Sequence, residues 1–160
     1  MRIPALCVAA FVLASSQVSS LHGQTAAMSH ASVLSGTIQS PICWSDNFAS
    51  GEASGDLSGS FFVAFDCTDG SISGGTWLIL LTADAPDGAT EVRGTLRGRV
   101  LRGTFEADET GQQVILSDVS LAVTEGTGEY AAIESGSGSL DATSDPSGTP
   151  QFVGTIGLTF

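Results

Sequence analysis

Beyond residue 30 apolar side chains recur at every second position, and nowhere does the 3.6-residue period of an amphipathic helix take over. Phe61, Val63, Phe65 and Cys67 share one face of a strand. Ile115, Val119, Leu121 and Val123 share a second, and Phe152, Ile156, Leu158 and Phe160 a third. Turn dipeptides such as Asp69-Gly70 and Asp87-Gly88 separate the runs. The pattern predicts strands at 33–39, 58–67, 75–83, 90–97, 99–106, 112–124, 132–140 and 151–160, the fourth and fifth being separate or one long strand bent at Gly98. That makes seven or eight antiparallel strands joined by short loops.

Strands at this spacing fit a sandwich or a barrel. Glycines inside them, among them Gly94, Gly98, Gly103, Gly136 and Gly154, weaken a flat sheet but permit the curvature that closure demands. The expected fold is all-β, an antiparallel up-and-down barrel of about eight strands. Such a barrel has an interior just wide enough to be filled by side chains or to hold one small ligand.

The N-terminus reads as a secretory signal over residues 1–24: Met1-Arg2, an apolar run from Ile3 to Ala14, then small residues at Val18-Ser19-Ser20 suited to cleavage. Cys7 lies inside the apolar run with no lipobox before it, which argues against a lipoprotein. No later stretch approaches the roughly 20 apolar residues of a membrane-spanning helix. The expected organisation is the signal, a flexible segment at 25–32 and a single barrel domain at 33–160, secreted or periplasmic.

Removing the signal leaves Cys43 and Cys67, and an even pair in an exported chain is most simply a disulfide. A catalytic thiol or a metal site needs histidine or further thiolates, and the mature chain offers at most His22 and His30, both in the N-terminal stretch. Neither a metal nor a cofactor is expected. Trp44 is expected to pack on the bridge.

The formal charge is −12, and loss of Arg2 with the signal takes it one unit further negative; there is no lysine. Such a surface repels phosphate backbones and anionic membranes, so neither nucleic acid nor membrane is an expected partner. The remaining arginines, Arg93, Arg97, Arg99 and Arg102, crowd into ten residues. A period of two puts the first three on one face and Arg102 on the other, unless a glycine bulge resets the count. They form either a solvated face paired with acids or a site for a carboxylate or other anion.

Trp77-Leu78-Ile79-Leu80-Leu81 is apolar on both faces, so something should cover its outer side: a homo-oligomer contact, slightly favoured, or a packed loop. GTGEYA at 126–131 matches the first glycines of a dinucleotide fingerprint, but the glycine, serine and proline that follow exclude a helix there. Those glycines are expected to supply φ > 0 positions in a tight connection.

The same stretch carries a family resemblance. VSLAV (119–123), then EGTGEYAAIESGSGSL, a Gly/Ser-rich loop and the closing FVGTIGLTF resemble the C-terminal half of the allene oxide cyclase and dirigent-like barrels. GTWLILLTADAPDGATEVRGTLRGRV (75–100) is similar to a strand-turn-strand of that group, and the likeness spans roughly residues 55 to 160. Glu125 and Glu129 stand where small bacterial members show Gly and Arg. The resemblance implies an eight-stranded antiparallel barrel, commonly oligomeric, whose plant members guide cyclisation or radical coupling of apolar substrates inside the barrel. It transfers no catalytic residue; Tyr130 matches the aromatic of the motif, where a structural role is the default.

A serine-histidine-acid triad lacks a histidine in the scaffold. The carboxylate pairs Glu106/Asp108 and Glu125/Glu129 lie beside turns, where solvated charge is the default, and Asp84, Asp87 and Glu91 lack calcium-loop spacing. Three functions remain. The preferred one is a non-enzymatic secreted barrel, structural or binding a small apolar ligand inside. The second is a cyclase or dirigent-like enzyme, with Arg97, Arg99 and Tyr130 converging on an open pocket. The third is an oligomeric interaction module using the Trp77–Leu81 strand.

Overall fold

Alternation becomes architecture by closing a sheet on itself, so that one face of every strand is sealed from water. The computed structural model describes residues 27–38, 48–107, 114–145 and 151–160. The expected signal at 1–24, and with it Cys43, Trp44 and Asp108, lie outside the described residues. Eight strands follow in order: β1 (Ser29–Ile38), β2 (Phe48–Gly55), β3 (Gly59–Thr68), β4 (Ser71–Asp84), β5 (Thr90–Ala107), β6 (Val114–Gly126), β7 (Gly136–Asp145) and β8 (Gln151–Thr159). Each pairs antiparallel with the next, and β8 returns to β1 to close an up-and-down barrel. The only helical element among the described residues is a 3-10 turn, Gly128–Tyr130.

Closure satisfies every edge, and the inward side chains form one continuous core. Phe61, Val63 and Phe65 point in from β3, and Phe152, Ile156 and Leu158 from β8, as the alternation predicts. Asp69 (φ 51°) and Gly70 (φ 76°) join β3 to β4 in a two-residue hairpin, whose two left-handed positions suit the twist of the flanking strands.

The strand order differs from expectation in two places that cancel in the count. Segments 90–97 and 99–106 are one long strand, β5. The missing eighth strand is β2, FASGEASG, which lies in a stretch expected to be a connection. It buries only Ala49 and Ala53, side chains too small to mark a strand face. β1 begins at Ser29, so Ser29–Ser32 and His30 belong to the barrel wall and not to the flexible segment expected at 25–32.

Bulges correct two face assignments. Asp118 adopts φ 55°, the β6–β7 register slips between Leu116 and Val119, and the parity of β6 reverses there. Val114 and Leu116 therefore point inward with Val119, Leu121 and Val123, while Ile115 faces solvent. On β5 the register against β6 slips between Val100 and Arg102. Arg102, expected on the face opposite the other arginines, is turned out to solvent like them.

Candidate functional site

The interior is filled. Phe152, Leu34, Leu140 and Leu121 are among its fully buried side chains, and a void bordered by Leu34, Phe61, Trp77 and Ile156 measures about 10 Å³. That is about the space of a single water molecule. The two buried polar residues among those described are both engaged: Ser32 Oγ accepts from the Leu57 N–H and Ser144 Oγ from the Val114 N–H, each at 2.9 Å.

A concave surface lies at the barrel end where the start of β1, the end of β8, the β2–β3 and β4–β5 turns and the 3-10 turn meet. An open cleft of about 360 Å³ there is lined by Asp56, Ser58, Thr82, Asp84, Arg93 and Tyr130, with Leu81 at its base. Arg93 pairs with Glu129 across the rim. The hydrogen bond to Glu129, and then its charge, hold the Arg93 guanidinium pKa above its ordinary value. With Arg93 so compensated, Asp56 and Asp84 leave the cleft net negative, which disfavours an anionic ligand. Asp56 is fixed by accepting the Ala31 N–H at 2.9 Å. Gly128, at φ 63°, lets the 3-10 turn fold close over β5, where a side chain would strike the Arg93 carbonyl.

A second groove, about 370 Å³, runs beside it past Ser29, His30, Asp56, Ser137 and Thr159. His30 stacks on Phe160 with centroids 4.8 Å apart, and its Nε2 is buried with no hydrogen-bond partner among the described residues. Among those residues no three His, Cys, Asp or Glu are grouped to hold a metal.

The structure does not bring the proposed ligand residues together. Tyr130 lines the end cleft, but Arg97 and Arg99 project from the outer wall of β5. Arg97 is tied to Glu125, with Nε 3.0 Å from Oε2. Glu125 and Glu129 are thus partners of arginines and not a carboxylate pair. Sequence reasoning passed over Asp56, noted Arg93 only within its cluster and weighed Asp84 only as a calcium ligand; the three meet through barrel closure, which leaves no local signal. Cys67 is half-buried against the core and disulfide-bonded.

The outer side of the Trp77–Leu81 strand is not covered by any described segment. Leu78 is 37% and Phe62 38% exposed, directly opposite each other on β4 and β3. The ring of Phe48 on β2 packs tilted against that of Phe62, with centroids 5.3 Å apart. No protein-family model, curated protein or solved structure matches the chain.

Proposed function

We propose that this chain is an exported, non-enzymatic barrel that acts as an interaction module through its outer wall, its interior serving only as core. The observation that carries this reading is the contrast between an interior void of about 10 Å³ and an apolar strip left open on β3 and β4. Small-molecule sites occupy roughly 300 to 1,000 Å³. The void is more than tenfold below that range, which speaks against an apolar ligand or a cyclase-type substrate inside the barrel. The likeness to allene oxide cyclase and dirigent-like barrels is accordingly used for architecture alone.

Export is supported by the signal-like N-terminus and by the bonded state of Cys67, since disulfides persist in oxidising compartments. The membrane is disfavoured as a partner because the wall carries charged and hydroxyl side chains outward and apolar ones inward, the reverse of a lipid-facing barrel.

Native mass spectrometry of the mature protein from its own host tests the reading. The expected result is an empty barrel. A small organic molecule released only on unfolding would overturn it in favour of an interior ligand.

A further inference from the structure

We infer that the open end of the barrel binds a neutral oligosaccharide, with one sugar ring seated in the end cleft and the chain continuing along the groove beside it. The site lies outside the sealed core and is independent of the outer-wall reading above.

Place and size come first. Small-molecule sites favour the mouths of β-barrels and occupy roughly 300 to 1,000 Å³. The end cleft, at about 360 Å³, and the neighbouring groove, at about 370 Å³, each reach that range, and the two meet at Asp56. Such a shape suits a chain of rings better than one compact molecule.

The chemistry of the wall selects the class. The cleft offers acceptors in the Asp56 and Asp84 carboxylates and donors in the Arg93 guanidinium. The Asp84 carboxylate makes no ion pair among the described residues, and Arg93 is bonded there through one nitrogen, to Glu129, so both keep bonding capacity for a ligand. An anion would meet a net negative cleft, and a cation would lie beside a guanidinium. An apolar ligand would strip water from all three groups and replace none of its bonds. Sugar hydroxyls donate and accept at once, so adjacent hydroxyls satisfy a carboxylate and a guanidinium together. Tyr130, partly buried against the core, adds an aromatic surface for the C–H face of a ring. The groove continues in the same manner, bordered by Ser137, Ser139 and Thr159, with Gly138 and Gly157 keeping it shallow.

The rim is set before a ligand arrives. Asp56 is held by the Ala31 N–H and Arg93 by Glu129. Thr127 ties the 3-10 turn that carries Tyr130 to Thr95, through its N–H at 2.9 Å and its hydroxyl at 2.7 Å. Binding therefore orders few side chains, which favours affinity. The contacts stay open to water, where each hydrogen bond adds little net, so the dissociation constant should be on the order of 1 mM.

The test is an amide NMR titration of the mature, oxidised protein with cellotetraose, maltotetraose and N-acetylchitotetraose, each beside its disaccharide, with spermidine as the cationic control. The expected result is saturable shifts from at least one tetrasaccharide at the amides of Ser58, Asp84, Tyr130 and Ser139, with binding several-fold tighter than that of its disaccharide. Asp84→Asn and Tyr130→Ala should each weaken binding by about fivefold or more, and Tyr130→Phe, which keeps the ring, by under about twofold. The remaining, unshifted amides of each variant report that it is folded. No saturable shift from any saccharide up to about 20 mM would overturn the inference. So would spermidine saturating the same amides more tightly than any sugar, which would make the cleft an organic-cation site. Variants that bind like wild type would place the sugar elsewhere, and a disaccharide that binds as tightly as its tetrasaccharide would remove the extended chain; either result overturns the site as described.

Discussion

The indole Nε1–H of Trp77 donates to the carbonyl oxygen of Ala122, 3.2 Å away, reaching from β4 across β5 to β6. The bond is possible because the residue between them is Gly98, the register partner of Trp77. A Cβ at Gly98 would lie 1.8 Å from the Ala122 oxygen and 2.7 Å from the indole ring. Trp77 is thus buried with its one polar atom satisfied, on a floor that only glycine provides. Gly98→Ala should destabilise the barrel by about 1–3 kcal/mol, the usual cost of overpacking. Urea unfolding followed by circular dichroism measures this; an unchanged midpoint would show that the indole does not lie on Gly98.

Ser32 closes the barrel end by a different bond. The residue is 4% exposed, and its hydroxyl oxygen accepts the N–H of Leu57, which the β2–β3 turn buries over the core. Ser32→Ala leaves that N–H buried without a partner, a loss of about 1–3 kcal/mol. Hydrogen exchange locates the effect: the Leu57 amide should lose protection ahead of the β3 amides. Equal loss along all strands would mean that the bond has no local role.

The barrel could be foreseen because β3 and β8 alternate without interruption, so Phe61 through Phe65 and Phe152 through Leu158 announce their inner faces directly. Alternation fails where a tertiary contact intervenes. The bulge at Asp118 is held by an N–H bond to the Asp141 carboxylate on β7, 3.2 Å away, and no pattern within β6 foretells it. β2 was illegible for the opposite reason: with Ala49 and Ala53 inside and Glu52 outside, its strand conformation is imposed by β1 and β3. The end cleft was hidden too. Arg93 meets Tyr130 only because the β6–β7 connection folds back over β5, whereas Arg97 and Arg99, equal to Arg93 in sequence, stay on the wall.

A filled interior predicts what an artificial hole should do. Phe152 is 0% exposed and its ring lies 5.7 Å from that of Phe61. Phe152→Ala should cost about 3–5 kcal/mol and leave an apolar void. Benzene should then raise the melting temperature of the variant and leave that of the wild type unchanged. Stabilisation of both would mean that the native barrel already holds ligand-sized space, against the packed core described above.

Cys67, disulfide-bonded, ends the buried face of β3, where the register against β4 slips between Asp66 and Cys67. Cys43 is the partner expected from the sequence. A bridge between them closes a loop of about 24 residues, which restricts the unfolded chain by roughly 3–4 kcal/mol in the entropic account. Reduction under native conditions, or the double variant Cys43→Ser/Cys67→Ser, should lower the unfolding free energy by that order, and peptide mapping of the oxidised protein should recover the linked pair. The half-buried setting of Cys67 also predicts that a reductant acts slowly until the barrel is loosened by denaturant. A free Cys43 in the oxidised mature protein would overturn the pairing. A linked pair whose loss costs under about 1 kcal/mol would show instead that the closed barrel already restrains that end of β3, leaving the bridge little chain entropy to remove.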